Sequence, residues 1–124
     1  MKKEYEVGQI WEYKTRDGEE TSRITIVNIT EHEHHGSIIS IYINGLKIKY
    51  PFNELGYLNE MTHSPCSKNS IDISVTRLVE TTSILPDFKE GFNEWKEQFD
   101  LGKAGVFGGS IKEIIETLEQ SVNT

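Results

Sequence analysis

The chain has 124 residues, of which 13 are basic and 20 acidic, giving a formal net charge of −7. This length is enough for a hydrophobic core, so we expect residues 1–124 to fold as a single domain. The acidic balance disfavours nucleic acid and anionic membrane as partners, because both attract basic patches, and it favours a basic protein partner.

Cysteine usage and the absence of long apolar runs indicate the compartment. The single cysteine, Cys66, excludes an internal disulfide and is typical of a reducing cytosol. Lys2 and Lys3 open the sequence without an apolar segment behind them, so we expect no signal peptide. No apolar run approaches the ~18 residues of a membrane-spanning helix. A cytoplasmic location is therefore expected.

The N-terminal half alternates as β-strands do. Residues 9–15, 21–30, 37–44 and 46–50 each predict a strand, and Asn44-Gly45 between the last two predicts a type I′ hairpin. In the second strand the apolar phase changes between Ile26 and Val27. Either both of its faces are covered or a bulge shifts the register.

Helical periodicity dominates the second half, after an irregular segment at 52–65 that predicts a long loop. Ser67 can cap a helix with an apolar stripe that includes Leu78 and Val79, although a strand remains the weaker alternative there. Ser110 and Glu113 form a capping-box pattern before a final amphipathic helix. We therefore expect an α+β fold, an antiparallel β meander of about four to five strands packed by C-terminal α-helices. The optional fifth strand lies at residues 104–107.

Residues 85–107 contain the most apolar helix pattern, which Pro86 and Asp87 are expected to open and Gly102 to close. Aromatic side chains recur on one face at a period of 3.6 residues: Phe88, Phe92, Trp95 and Phe99. We expect this row to be core and to pack against Trp11, Tyr13 and the isoleucines of the sheet.

The other side of the same helix is acidic. Its carboxylates outnumber Lys89 and Lys96 by five to two and are the candidate partner-binding residues: Asp87, Glu90, Glu94, Glu97 and Asp100. A charged helix face is usually only solvated surface, but this imbalance is weak evidence for a basic partner.

The sequence contains no strong catalytic, metal or cofactor signature. The run from His32 to His35 could supply ligands for zinc or copper, but a hairpin tip favours solvated side chains that do not converge. His63 and Cys66 lack a second ligand pair, and a lone cysteine is usually a small buried apolar residue. The glycine-rich segment 102–110 lacks Walker spacing. We assign no catalytic residue, no metal and no cofactor.

Several strings spread over most of the chain resemble a family of small bacterial proteins. They are VGQIWEYKTR at 7–16, GLKIK at 45–49, SVT at 74–76, LPDF at 85–88, and EWK at 94–96 leading into GKAGVF at 102–107. The resemblance implies an immunity protein of a contact-dependent growth inhibition system. Such a protein binds and blocks a toxin domain delivered by a neighbouring cell, in some cases a ribonuclease.

Two function classes follow. The first is a cytosolic immunity protein without enzymatic activity, which neutralises a basic toxin domain such as a nuclease. The alternative is a small-molecule site, enzymatic or not, between the sheet and the helices and lined by Trp11, Tyr13 and Trp95. Gly108-Gly109 and the irregular segment 52–65 depart from the family pattern and leave the partner surface open.

Overall fold

A computed structural model describes residues 4–123 of the chain. Lys2 and Lys3, on which the signal-peptide expectation rests, lie outside this range. Within it the chain forms seven strands and three helices. The strands are β1 (Gln9–Tyr13), β2 (Ile24–His32), β3 (Gly36–Ile43), β4 (Ile48–Lys49), β5 (Tyr57–Leu58), β6 (Met61–Ser67) and β7 (Val75–Thr81). The helices are α1 (Lys68–Ser74), α2 (Lys89–Asp100) and α3 (Ile111–Val122).

Five strands form one antiparallel sheet in the order β6-β3-β2-β1-β7, and β4 pairs with β5 in a separate ribbon. The first three strands are a meander, and β6 joins it at the β3 edge. The chain then passes through α1 to β7, which pairs with β1 at the opposite edge. The predicted α+β class, a mostly antiparallel sheet with C-terminal helices, is confirmed.

α1 and α3 cover one face of this sheet and close the hydrophobic core. Ser110 Oγ accepts a hydrogen bond from Glu113 N at 3.2 Å, so the predicted cap of the last helix is confirmed. Its apolar stripe buries Ile111, Ile114 and Ile115. These side chains meet Trp11, Tyr13 and the inward isoleucines of β2 and β3 in one cluster. The core therefore joins the N-terminal meander to the end of the chain.

Three local predictions were wrong. Residues 61–65 of the expected loop belong to the edge strand β6, which continues to Ser67 and has Cys66 among its inward positions. The Ser67-capped helix ends at Ser74, and the predicted stripe residues Leu78 and Val79 lie in β7. A β-branched segment beside the open edge of β1 gains five paired positions as a strand, despite two register shifts, and this pairing outweighs its helical period.

The third wrong prediction is the hairpin at Asn44-Gly45, because these residues do not form a type I′ turn. Only Gly45 has a positive φ, of 64°, whereas that turn needs positive φ at both residues. The Asn44 side chain instead accepts a hydrogen bond from Arg23 N at 2.9 Å, and β4 pairs with β5. The side chain thus ties the end of β3 to the start of β2.

The phase change in β2 has a clear cause. The β2–β3 register shifts between Ile26 and Asn28, so Val27 is the bulged residue. Val27 is also buried, with 2% of its surface exposed. Both explanations that the sequence left open, a bulge and the burial of both strand faces, therefore apply.

Among residues 4–123, no helix is long and apolar enough to cross a bilayer.

Candidate partner-binding surface

The candidate surface lies on α2, which begins one residue later than the expected cap at Asp87 implies. Phe88 occupies the N-cap position and makes no side-chain capping bond, so the prediction of Asp87 as the cap was wrong. The C-terminus follows the prediction, because Gly102 has a φ of 75°. Gly102 N donates to Phe99 O at 3.0 Å and Lys103 N donates to Gln98 O at 2.8 Å. This pair of bonds is a Schellman motif, which ends the helix sharply.

The aromatic row of α2 does not belong to the main core, contrary to the prediction. No residue of α2 is fully buried, and the four rings are only half-buried. They form a ladder in which neighbouring centroids are 6.0, 5.9 and 4.9 Å apart, from Phe88 through Phe92 and Trp95 to Phe99. Trp95 Nε1 donates to Gly105 O at 2.8 Å, so the ladder also holds the segment after the helix.

Histidines, rather than Trp11 or Tyr13, are the ring partners of this ladder on the sheet side. His63 of β6 lies 5.4 Å from the Phe92 ring and 5.5 Å from the Trp95 ring. At the β2–β3 turn, the rings of His32 and His35 lie 5.1 and 5.4 Å from Phe99. Sequence reasoning missed these contacts because it considered the histidines as solvated or as metal ligands.

The position of Ser40 shows that α2 lies on the sheet face opposite the core. Ile39 and Ile41 belong to the core cluster, so Ser40 between them points to the other face. Ser40 is fully buried there, and its Oγ lies 2.8 Å from His63 Nε2, at hydrogen-bond distance. Burial lowers the pKa of His63 to about 4, so this imidazole is neutral at neutral pH.

The alternative site predicted between the sheet and the helices does not form as expected, because its three rings do not lie together. Trp11 and Tyr13 are buried in the core on the face that α1 and α3 cover. Trp95 lies on the opposite face in contact with His63. The three rings expected to line one pocket are therefore separated by the sheet.

The acidic residues of α2 face away from the sheet. At ~100° per residue, Glu90, Glu94 and Glu97 lie opposite the aromatic row, and all three are exposed. Asp100 is engaged locally, since Lys96 Nζ donates to its two carboxylate oxygens at 2.7 and 2.8 Å. Asp87 precedes the helix. We call Glu90, Glu94 and Glu97 the acidic face, because these three carboxylates share one exposed stripe.

The histidine-rich turn has a structural role. His32 Nδ1 accepts hydrogen bonds from His34 N at 3.0 Å and from His35 N at 3.2 Å. The His32 ring therefore orders the turn and packs against Phe99. Over residues 4–123, no three or more His, Cys, Asp or Glu side chains are grouped so that they could hold a metal ion.

The position of Cys66 in the fold makes its thiol unreactive. Cys66 is fully buried, and burial raises the pKa of its thiol to about 12, so it stays protonated and is a poor nucleophile.

Arg16 forms ion pairs with Glu19 at 2.7 Å and with Glu119 at 3.1 Å. Glu19 and Glu119 also accept hydrogen bonds from Lys47 N and Lys49 N. This partly buried network joins the β1–β2 loop to α3 and β4.

Comparisons of this chain with family models, with curated proteins and with solved structures each returned no match.

Proposed function

We propose that this protein is a cytosolic immunity protein of a contact-dependent growth inhibition system. In this role it binds a basic toxin domain, such as a nuclease, and blocks it without catalysing a reaction. The observation that carries the proposal is the acidic face, three exposed carboxylates in line on one helix of a chain with net charge −7. Nuclease sites are electropositive because they hold phosphates, so an acidic surface complements them.

The way α2 is held also supports a docking role. The ladder of aromatic and histidine rings fixes one side of the helix to the sheet, while the Schellman motif fixes its end. The acidic face is thereby presented outward on a regular element. A carboxylate stripe that is ordered before binding loses little conformational entropy when a partner docks.

The experiment is charge reversal on the acidic face, and its probe is the toxin domain of whichever contact-dependent growth inhibition gene is found beside this one. The variant replaces Glu90, Glu94 and Glu97 with lysine. Its matched control replaces three other exposed acidic residues, Asp17, Glu54 and Glu116, with lysine and so has the same net charge. Surface changes usually alter stability by within about 0.5 kcal/mol, so both variants should fold.

Association rates should be measured at two salt concentrations, about 0.1 M and 1 M, where the Debye length is ~10 Å and ~3 Å. We expect wild-type association to be fast at the lower salt and to slow at the higher. The acidic-face variant should associate more slowly than the control at low salt, and its salt dependence should flatten or invert. It should also fail to rescue toxin-poisoned cells.

Equal rates for the two triple variants would exclude the acidic face as the docking surface and leave only a general charge effect. The β2–β3 turn and residues 52–65 would then be the next surfaces to test. If the wild-type protein neither binds the toxin nor rescues the cells, the proposed function itself is wrong.

A further inference from the structure

The acidic face of α2 ends in an apolar residue. Leu101 is the C-cap of the helix, and its φ of −86° and ψ of 0° keep it on the helical spiral. Its N–H donates to Glu97 O at 3.3 Å, so the helical hydrogen bonding also reaches this residue. At ~100° per residue, Leu101 lies with the three carboxylates of the acidic face in a sector about 60° wide, and the four positions extend over about 17 Å. Leu101 therefore continues the line of the carboxylates.

Neither the aromatic row nor the end of the helix accounts for an apolar side chain at this position. Leu101 lies about 200° around the helix from Phe99, the last ring of the row, and so points away from the sheet. It is 62% exposed, whereas every exposed residue of Lys89–Asp100 is polar or charged. The hydrophobic contact that often accompanies a Schellman motif would join Lys103 to Gln98 and does not involve Leu101. The leucine side chain is therefore available to a partner.

We propose that Leu101 is the apolar anchor of the docking surface and enters an apolar pocket that borders the basic surface of the toxin domain. The inference rests on the proposed function and specifies what the end of the acidic face contacts on that partner. Charge complementarity selects a basic partner, because the three carboxylates lead to Leu101 along one helix. Interfaces commonly surround an apolar contact with a polar rim, and Leu101 with Glu97 one turn away has this arrangement.

The charged and apolar parts of this surface should act at different stages of binding. Charges attract a partner over about a Debye length and mainly change the association rate. An apolar side chain leaves water only after the two surfaces have met, so it mainly changes the dissociation rate. Leu101 should therefore determine the lifetime of the complex, while the acidic face determines how fast the complex forms.

The binding kinetics of Leu101→Ala with the toxin domain used above test the proposal. We expect dissociation about tenfold faster than for wild type, because most of the buried leucine surface is lost, with an unchanged association rate and salt dependence. Leu101→Met keeps the apolar volume and should dissociate at nearly the wild-type rate. The matched control is Leu55→Ala, since Leu55 is 63% exposed between β4 and β5, and this variant should dissociate like wild type. Thermal melts check that all three variants fold.

Dissociation of Leu101→Ala at the wild-type rate would overturn the proposal and leave the proposed function in place. Faster dissociation of Leu55→Ala than of Leu101→Ala would do the same and would place the apolar contact between β4 and β5. A change confined to the association rate of Leu101→Ala would also contradict an anchor that forms after docking. If the wild-type chain does not bind the toxin domain, the proposed function is wrong and this inference fails with it.

Discussion

Fully buried isoleucines fill the sheet face that α1 and α3 cover, whereas half-exposed rings line the opposite face where α2 packs. On the first face, aliphatic side chains pack with the rings of Trp11 and Tyr13, and all of them are buried. On the second, histidines of the sheet and aromatic rings of α2 share a partly wetted interface. Two helices of equal length, α2 and α3, are both amphipathic, yet only α3 buries residues completely.

An apolar stripe therefore indicates which side of a helix packs against the protein, but it does not indicate how deeply that side is buried. α3 packs beside α1 and β4, and its isoleucines belong to the core cluster and are buried there. α2 lies towards the β6 edge and the β2–β3 turn, where few neighbours cover it. The core face should therefore determine global stability, and the α2 face should contribute less while presenting its acidic residues.

The largest effect is expected on the core face. Ile41→Ala deletes a side chain with no exposed surface at the centre of β3 and should cost about 2–5 kcal/mol, since a cavity remains. The change in the urea midpoint measures this loss. Ile73→Ala is the matched control, because Ile73 is 45% exposed on α1 and should cost within about 0.5 kcal/mol. Equal midpoints for the two variants would show that this face is not the stabilising core.

An intermediate effect is expected from Trp95→Ala on the α2 face. The change removes the stack on Phe99, the contact with His63 and the hydrogen bond to Gly105 O. One aromatic pair and one hydrogen bond are each worth about 0.5–1.5 kcal/mol, so we expect a cost of about 1–3 kcal/mol. A core position, as the sequence predicted, would cost about 3–5 kcal/mol.

Trp95→Phe separates the contribution of ring packing from that of the hydrogen bond to Gly105 O, because it keeps a ring in the ladder but removes the N–H donor. It should unfold at a urea concentration between those of wild type and Trp95→Ala. A loss for Trp95→Ala as large as that for Ile41→Ala would remove the contrast between the two faces.

Sequence patterns predicted those parts of the fold that depend on local chemistry. The alternation around Trp11 and Tyr13 and the capping pair of Ser110 and Glu113 correspond to β1 and α3. β6 escaped detection because small and polar residues such as Ser64 occupy a strand whose fit comes from β3 beside it. Tertiary pairing of this kind leaves little trace in the segment itself.

The candidate site could be predicted only in part. The acidic stripe follows from helical geometry, and Glu90, Glu94 and Glu97 are exposed as that geometry requires. The depth of the aromatic row could not be predicted, because it depends on how much of the sheet lies beneath α2. The pairing of His32 and His63 with that row depends on a turn and an edge strand that meet only in the folded chain.

The smallest effect on stability is expected from a change of pH. This effect concerns His63 on the sheet face beneath α2 and therefore also distinguishes that face from the core face. The pKa of His63 falls from the ordinary 6.5 to about 4 because of burial beneath α2. Above pH 6.5 the imidazole of His63 is mainly neutral in both the folded and the unfolded chain, so its burial does not make stability depend on pH there. As pH falls from 6.5 towards 4, the unfolded chain binds a proton that the folded chain resists, so stability decreases across this window.

His63→Gln should reduce this acid sensitivity, because glutamine can still hydrogen-bond to Ser40 but does not titrate. The measurement is the difference in urea midpoint between pH 7 and pH 5 for wild type, His63→Gln and a control, His34→Gln. His34 is exposed, so its variant should keep the wild-type difference. If His63→Gln loses as much stability on acidification as wild type does, His63 is not desolvated by the aromatic ladder. Fluorescence of Trp95, which contacts His63, should then also show no separate change below pH 6.5.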